Sequence, residues 1–255
     1  MKQIFSTPLV ILSVALLLLG TNKSFADQKA TAIVQRANDL MRGKSSYSEA
    51  TLTIIKPRWS RTMGMKIWAL EPDYALILIT KPARDKGTVT LKRKREVWNW
   101  IPSIRRLIKI PPSMMLQPWM GSDFTNDDLV RESSIVQDYT HTIIGSDTVD
   151  SYPCYKIRFD PKPNAGVVWG KIIASISKGK YLFLKAEYYD EDGLLVKTML
   201  GSKVKRLGGR LLPSRMEIIP HNKPHQKTIF EYQKIIFNLK LNPSFFSKQN
   251  MKRLH

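Results

Sequence analysis

The chain has 255 residues, 43% of them hydrophobic, with 41 Lys and Arg against 21 Asp and Glu and a formal charge of +20. That length suffices for one β-rich domain with a sizeable core. Its single cysteine, Cys154, excludes an internal disulfide and any paired-cysteine motif. The charge favours anionic partners such as phospholipid, lipopolysaccharide or acidic protein surfaces.

The first 26 residues read as a secretory signal peptide. Lys2 gives a basic start, Pro8 to Leu19 is almost wholly apolar, and Ser24-Phe25-Ala26 is a small-x-small cleavage site. The apolar run is short for a membrane-spanning helix, which needs about 20 residues. The sequence therefore predicts cleavage after Ala26, a mature chain beginning at Asp27, and export to the periplasm, where nucleic acid is not an expected partner. Cys154 lies far from the cleavage site, so N-terminal lipidation is not expected. Removing Lys2 and Lys23 takes the charge from +20 to +18.

From about Asp27, Ile33, Val34, Ala37, Leu40 and Met41 recur at helical spacing, and Gly43 ends the run. β signals follow. Ala50, Leu52 and Ile54 alternate with Thr51 and Thr53 until Pro57; Met63, Met65 and Ile67 alternate with Thr62, Gly64 and Lys66. Glu71-Pro72-Asp73 reads as a turn, and Tyr74 to Thr80 as a continuous apolar strand. Lys92-Arg93-Lys94-Arg95 sits between two strand-like runs, either as a solvated hairpin or as a contact for anionic headgroups. Val97 to Pro102 and Arg105 to Ile110 predict a hairpin about Ser103. In the second half, strands are expected over residues 155–160, 168–176, 181–189 and 194–200, on both sides of Gly208-Gly209, and over 228–239. Strands at spacings of about 8–12 residues or a little more argue an all-β sheet or barrel. No linker or internal repeat interrupts 27–246, hence a single domain, and 247–255 reads as a loose, polar, basic tail.

Between the halves lies the most distinctive stretch. Met114, Met115, Leu116, Trp119, Met120 and Phe124 fall within eleven positions, and Pro111, Pro112, Pro118 and Gly121 break any long element through them. Such a soft apolar loop either plugs the core or covers a greasy cavity. Thr125 followed by Asp128 fits a capping box at the start of a short helix, which accounts for Asp127 and Asp128.

Ile110-Pro111-Pro112-Ser113-Met114-Met115 and Trp119-Met120-Gly121-Ser122-Asp123-Phe124-Thr125-Asn126-Asp127-Asp128-Leu129 resemble the signature of the outer-membrane lipoprotein-sorting protein family, similar to the Lol periplasmic lipoprotein carriers. Arg42-Gly43 with Ser45-Ser46, residues 81–87, Trp98-Asn99-Trp100-Ile101-Pro102 and Asp138-Tyr139 agree in order, so the resemblance runs from about Asp27 to Phe246. It implies a mainly β fold with few helices: an incomplete antiparallel β-barrel closed by a helical and loop lid. It also implies a carrier or chaperone for lipid or lipoprotein acyl chains, loaded by an inner-membrane transporter and delivering to the outer membrane. A strand arginine helps hold the lid shut in the Lol carriers; the motifs do not single out one of Arg61, Arg84 and Arg105 for that part.

Enzyme chemistry is thin, and no catalytic residue, cofactor or metal ligand is assigned. Pro224 between His221 and His225 argues against a helical ligand pair, and no third ligand is nearby. Nucleophile-elbow and phosphate-loop motifs are lacking. The expected ligand-binding surface is instead apolar. Trp98 and Trp100 share one sheet face; with Trp68 they are expected to line a cavity that Met114, Met115, Trp119, Met120 and Phe124 close. The surface charge adds an expected transient contact with anionic membranes. The alternative is a non-catalytic accessory subunit of an envelope export complex whose groove holds a protein segment.

Overall fold

In the computed structural model, residues 17–131, 135–163 and 165–254 are described; of residues 17–26, 130 and 131 only the backbone is. Residues 1–16 of the predicted signal peptide lie outside the described residues, and the expected cleavage site falls within the leading helix. The leading helix, α1 (Leu17–Arg42), starts ten residues before the expected Asp27. It ends as expected at Gly43, which takes a left-handed φ of +65° while its N–H donates to the Asp39 carbonyl at 3.0 Å.

Everything else is built on one antiparallel sheet of 13 strands, curled but not closed. Its first half comprises β1 (Ser45–Lys56), β2 (Trp59–Leu70), β3 (Tyr74–Lys81), β4 (Val89–Arg93), β5 (Glu96–Ile101) and β6 (Arg106–Lys109). The irregular segment from Ile110 follows, with a short helix α2 (Asn126–Arg131). The second half comprises β7 (Tyr139–Val149), β8 (Tyr152–Pro161), β9 (Lys171–Ser177), β10 (Phe183–Tyr189), β11 (Leu195–Leu207), β12 (Arg210–Pro220) and β13 (Lys227–Phe237). A last helix, α3 (Lys248–Met251), closes the chain. Each half is a meander, and the halves join where β1 pairs with β13, leaving β6 and β7 as the two edges. The incomplete barrel expected from the sequence is thus the fold observed.

Period-2 alternation decides which side chains face inward. Ala50, Leu52 and Ile54 are buried on the concave face, with Met65 opposite Ala50 and Met63 opposite Leu52 across the ladder. At the β7–β10 end this face is covered by α1, whose Ala30, Ile33, Val34 and Ala37 form a buried stripe against Ile157, Phe159, Ile172 and Ala174. Arg210 on β12 anchors the helix C-terminus, donating to the carbonyls of Asp39 at 2.7 Å and Leu40 at 3.0 Å. A cation there satisfies carbonyls that have no intrahelical partner.

The C-terminal segment corrects an expectation. Residues 247–254 are not loose. Phe246 and Met251 are fully buried against Leu76, Val89 and Leu91 on the convex face of β3 and β4. Ser247 caps α3 by accepting from the Asn250 N–H at 3.2 Å. The basic residues hide this in the sequence, because their stems pack while their charges stay wet: the Lys248 ammonium lies 3.5 Å from the centre of the Trp98 ring.

Candidate functional site

The concave face carries a cavity of about 200 Å³ between the sheet, the last turns of α1 and the segment after Ile110. Met65, Ile67, Ile77, Met199, Met216 and Phe230 supply its apolar walls from strands of both halves. Ala37, Asn38, Met41 and Arg42 approach from α1, and Trp119, Phe124, Asp128, Leu129 and Ile135 from the covering segment.

That segment is a lid with its own internal structure. The Trp119 N–H donates to the Phe124 carbonyl at 2.7 Å, the Asn126 N–H to Gln117 at 3.1 Å and the Asp127 N–H to Met115 at 2.9 Å. The Asn126 side-chain amide adds a bond to the Met114 carbonyl at 3.0 Å. Within it Met120 and Gly121 both take left-handed φ values, of 52° and 79°. A non-glycine residue held there costs on the order of 1–2 kcal/mol and persists only where its surroundings insist on it. The reversal lets Trp119 and Phe124 enter the core together. The predicted capping box is present: the Thr125 N–H donates to the Asp128 carboxylate at 2.7 Å, and the Asp128 N–H to the Thr125 hydroxyl at 3.1 Å.

Polar contacts bind the lid to the wall from several strands. Arg61 on β2 donates to the Met120 carbonyl at 2.5 Å. The buried Asp123 carboxylate accepts from Lys56 at the end of β1 at 2.9 Å and from the Thr228 hydroxyl on β13 at 2.7 Å. Trp119 Nε1 donates to Thr90 Oγ1 on β4 at 3.1 Å. Asp128 accepts from Lys197 on β11 at 2.6 Å, and both side chains are less than a tenth exposed. The Lys197 ammonium is also seated among aromatic faces, 4.7 Å from the Trp169 ring centre and 4.8 Å from that of Tyr188. Nearby, the buried His141 ring bridges Thr31 of α1 and the carbonyl of Ile135, at 3.1 and 3.0 Å. Burial pushes its pKa below the ordinary histidine value; the bond to Ile135 opposes that shift.

The eight residues expected at the cavity divide sharply. Trp119 and Phe124 line it. Met120 is partly buried against the same cluster as Trp119. Met115 packs on Val97 and Ile110 beneath the lid's start, while Met114 is exposed. Trp68, Trp98 and Trp100 are displaced from the expectation: they pack on the opposite, convex face with Phe245, Phe246 and Met251. The shared face of Trp98 and Trp100 was correctly inferred. The register, however, pairs Asn99 with Thr90 and Val97 with Lys92, and Thr90 and Lys92 line the cavity, so it is the alternate face of β5 that lies on the cavity side. The C-terminal segment supplies the apolar cover that the tryptophans need. The sequence singled out Lys92 only within its basic run, as a solvated hairpin or a headgroup contact, and Arg42 only within the family resemblance; the spacing of Asp128 from Thr125 spoke for a cap, and Lys197 carried no signal. Of the three arginines weighed for the latch, Arg61 is the one in contact with the lid.

A curled sheet, a helix across one end and a segment tied down over an apolar cavity make up the site. Over residues 71–253 the chain matches the model of a family described as “Uncharacterized protein”, and it belongs to that family. Three of the solved structures that share its fold illustrate the likeness. One is a DUF1329 family protein from Desulfovibrio piger, 22% identical, with a TM-score of 0.80 over 89% of this chain and 99% of that one. Another is a putative outer membrane lipoprotein-sorting protein domain from Vibrio parahaemolyticus, 22% identical, with a TM-score of 0.78 over 89% and 100%. The third is a LolA superfamily protein from Nitrosomonas europaea, 19% identical, with a TM-score of 0.74 over 87% and 98%. No curated protein sequence matches the chain. The resemblance read from residues 110–129 is thereby borne out, and the architecture is LolA-like.

Proposed function

We propose that the protein is a non-catalytic periplasmic carrier for lipid or lipoprotein acyl chains, taking them from an inner-membrane transporter towards the outer membrane. The observation that carries this reading is the lid. A plug that merely completed a core would be sealed by apolar packing. This one covers an apolar cavity and is tied down by Arg61, Asp123, Asp128 and Trp119 through polar contacts to five different strands. Such contacts have water as a substitute when they part.

The mechanism is physical. Each methylene moved from water into the cavity contributes about 0.8 kcal/mol. A cavity of about 200 Å³ holds only part of a long chain while the lid is shut, so loading requires the lid to swing away from the walls. A carrier alone equilibrates; direction comes from a donor and an acceptor with different affinities for the open and closed forms.

The test is native mass spectrometry of protein purified without detergent, followed by titration with a fluorescent fatty-acid probe. The expected result is co-purified lipid or acylated peptide and a probe displaced by phospholipid. A folded protein that is always empty and ignores every acyl probe refutes the carrier. Intact mass of the exported protein should show a chain starting at Asp27.

A further inference from the structure

We propose that one rim of the sheet docks on an anionic phospholipid bilayer, with Trp59 and Ile104 entering the interface and the cations beside them meeting lipid phosphates. The surface needs no cargo, so it stands whether or not the cavity carries acyl chains.

The strand order builds the rim. β1 to β6 are neighbours in sequence order, so the β1–β2, β3–β4 and β5–β6 turns lie side by side at one end of the sheet. Each turn is closed on itself. Lys56 pairs with Trp59 across the first. In the second, the N–H groups of Asp85 and Lys86 donate to the Pro82 carbonyl at 3.1 and 3.0 Å. In the third, the Arg105 N–H donates to the Pro102 carbonyl at 3.1 Å, and Arg105 holds a left-handed φ of 50°. Turns fixed in this way present their tips with little further loss of chain entropy on contact. The rim also holds the fastening of the lid: Lys56 and Arg61, on either side of Arg58 and Trp59, are the residues tied to Asp123 and to the Met120 carbonyl.

Trp59 is 50% exposed and Ile104 56%. Arg58, Arg84, Lys86, Arg105 and Arg106 are exposed around them, and among the described residues none of these cations pairs with a carboxylate. Asp85 is the single acid of the three turns, and its carboxylate lies 3.6 Å from the Arg61 guanidinium. The apolar tips do not form one patch. β2 and β5 are three strand spacings apart, about 14 Å, and the cations of the β3–β4 turn lie between them. A protein interface gathers its apolar residues into a dry centre and keeps charge at the edge. Separated tips, each beside cations, suit a bilayer, which receives each one singly: tryptophan favours the lipid–water interface, and cations gain from a negative lipid surface. The sign of the charge marks where the surface stops. Further along the same end of the sheet, the β10–β11 turn presents exposed Glu191 and Asp192.

The test is flotation of the exported protein with phosphatidylcholine vesicles, with and without phosphatidylglycerol. The wild type should float with the anionic vesicles and not with the neutral ones. Trp59→Ala and Ile104→Ser should each weaken that binding about tenfold or more, the scale of burying a large apolar side chain. Arg84→Gln and Arg105→Gln should each weaken it about fivefold. All four replace exposed residues, so the melting temperature should hold. Lys94→Gln combined with Arg95→Gln is the control. Those exposed cations join β4 to β5 at the opposite end of the sheet, the five residues of β4 away, about 16 Å and beyond a Debye length of about 8 Å. The control should bind within about twofold of the wild type. A wild type that ignores anionic vesicles overturns the docking rim, and so does an equal loss in the control. Loss through the arginines alone, with Trp59→Ala and Ile104→Ser binding as the wild type does, makes the rim a site for an acidic protein surface and overturns the bilayer contact.

Discussion

Trp119→Ala separates a lid from a plug. The indole is 3% exposed, packs among the inward residues of β1, β2 and β3, and donates to Thr90. Truncating a buried tryptophan costs about 3–5 kcal/mol when the whole molecule must bear the loss. For a domain of this size each kcal/mol moves Tm by about 2–4 °C, so a plug should lose roughly 6–20 °C. A lid offers a cheaper route. Its backbone bonds from Trp119, Asn126 and Asp127 all close within the segment, while its ties to the sheet run mainly through side chains. It can therefore open as a unit with the sheet intact, and the loss is capped at the free energy of that opening. The expected outcome in hydrogen exchange is that amides 119, 126 and 127 speed up by about a hundredfold or more, since each 1.36 kcal/mol is tenfold. Tm should meanwhile fall by less than about 6 °C. Trp119→Phe keeps most of the packing and loses one hydrogen bond worth about 0.5–1.5 kcal/mol, so those amides should accelerate by no more than about tenfold. Thr90 itself stays bonded to Asn99 at 2.7 Å. If Trp119→Ala lowers Tm by more than about 6 °C and the lid and sheet amides exchange in step, residues 111–131 are core and the reasoning fails.

The buried pair of Asp128 and Lys197 predicts that Asp128→Asn, which leaves an uncompensated cation in place, costs about 3–5 kcal/mol, and that adding Lys197→Met recovers part of it; urea melts of the single and double variants check this, and a double variant worse than the single would contradict it. His141 has a pKa below its unfolded value. The unfolded chain then takes up the proton first as pH falls, so stability is full above about pH 6.5 and declines below it until the folded-state pKa is passed. Thermal melts from neutral to mildly acid pH should show that decline in the wild type and a shallower one in His141→Gln. Met251→Ala should lower Tm by roughly 4–20 °C, because a fully buried side chain of the C-terminal segment is lost from the convex face; a silent substitution would return residues 247–254 to the status of a dispensable tail.

The sheet was legible because alternation is a local property. The inward set Ala50, Leu52 and Ile54 could be read directly, and so could the turn residues Gly43 and Gly208-Gly209. What alternation leaves open is which of two faces points to the cavity, and that ambiguity placed Trp98 and Trp100 on the wrong side. In β4 and β5 both faces are covered, one by the lid and one by the C-terminal segment, so neither is plainly polar. The covering elements are far away in sequence: Phe246 meets Leu76 and Leu91, and Lys197 meets Asp128, through contacts that no local window contains. Lys92 shows the limit most clearly. In sequence it is one of four consecutive basic residues; in the fold Arg93 is exposed, while Lys92 is turned inward by the pleat.

A carrier needs a closed state that is stable enough to shield its ligand and shallow enough to open. A wholly apolar seal would favour closure in proportion to buried area, about 25 cal/mol per Å², and would make release slow. Ion pairs and hydrogen bonds at the lid bring the opposite property: their attraction is largely offset by the desolvation needed to form them. Asp123 with Lys56 and Thr228, Asp128 with Lys197, and Arg61 with the Met120 carbonyl therefore fix where the lid sits more than how firmly it is held. The left-handed backbone at Met120 works the same way, since its cost falls on the closed form alone if the lid relaxes on opening. Trp119 and Phe124 then supply the apolar grip, and an acyl chain beneath them would add to it. On the proposed carrier reading, closure becomes dependent on cargo, which is what a molecule that must shield and then surrender a hydrocarbon chain requires.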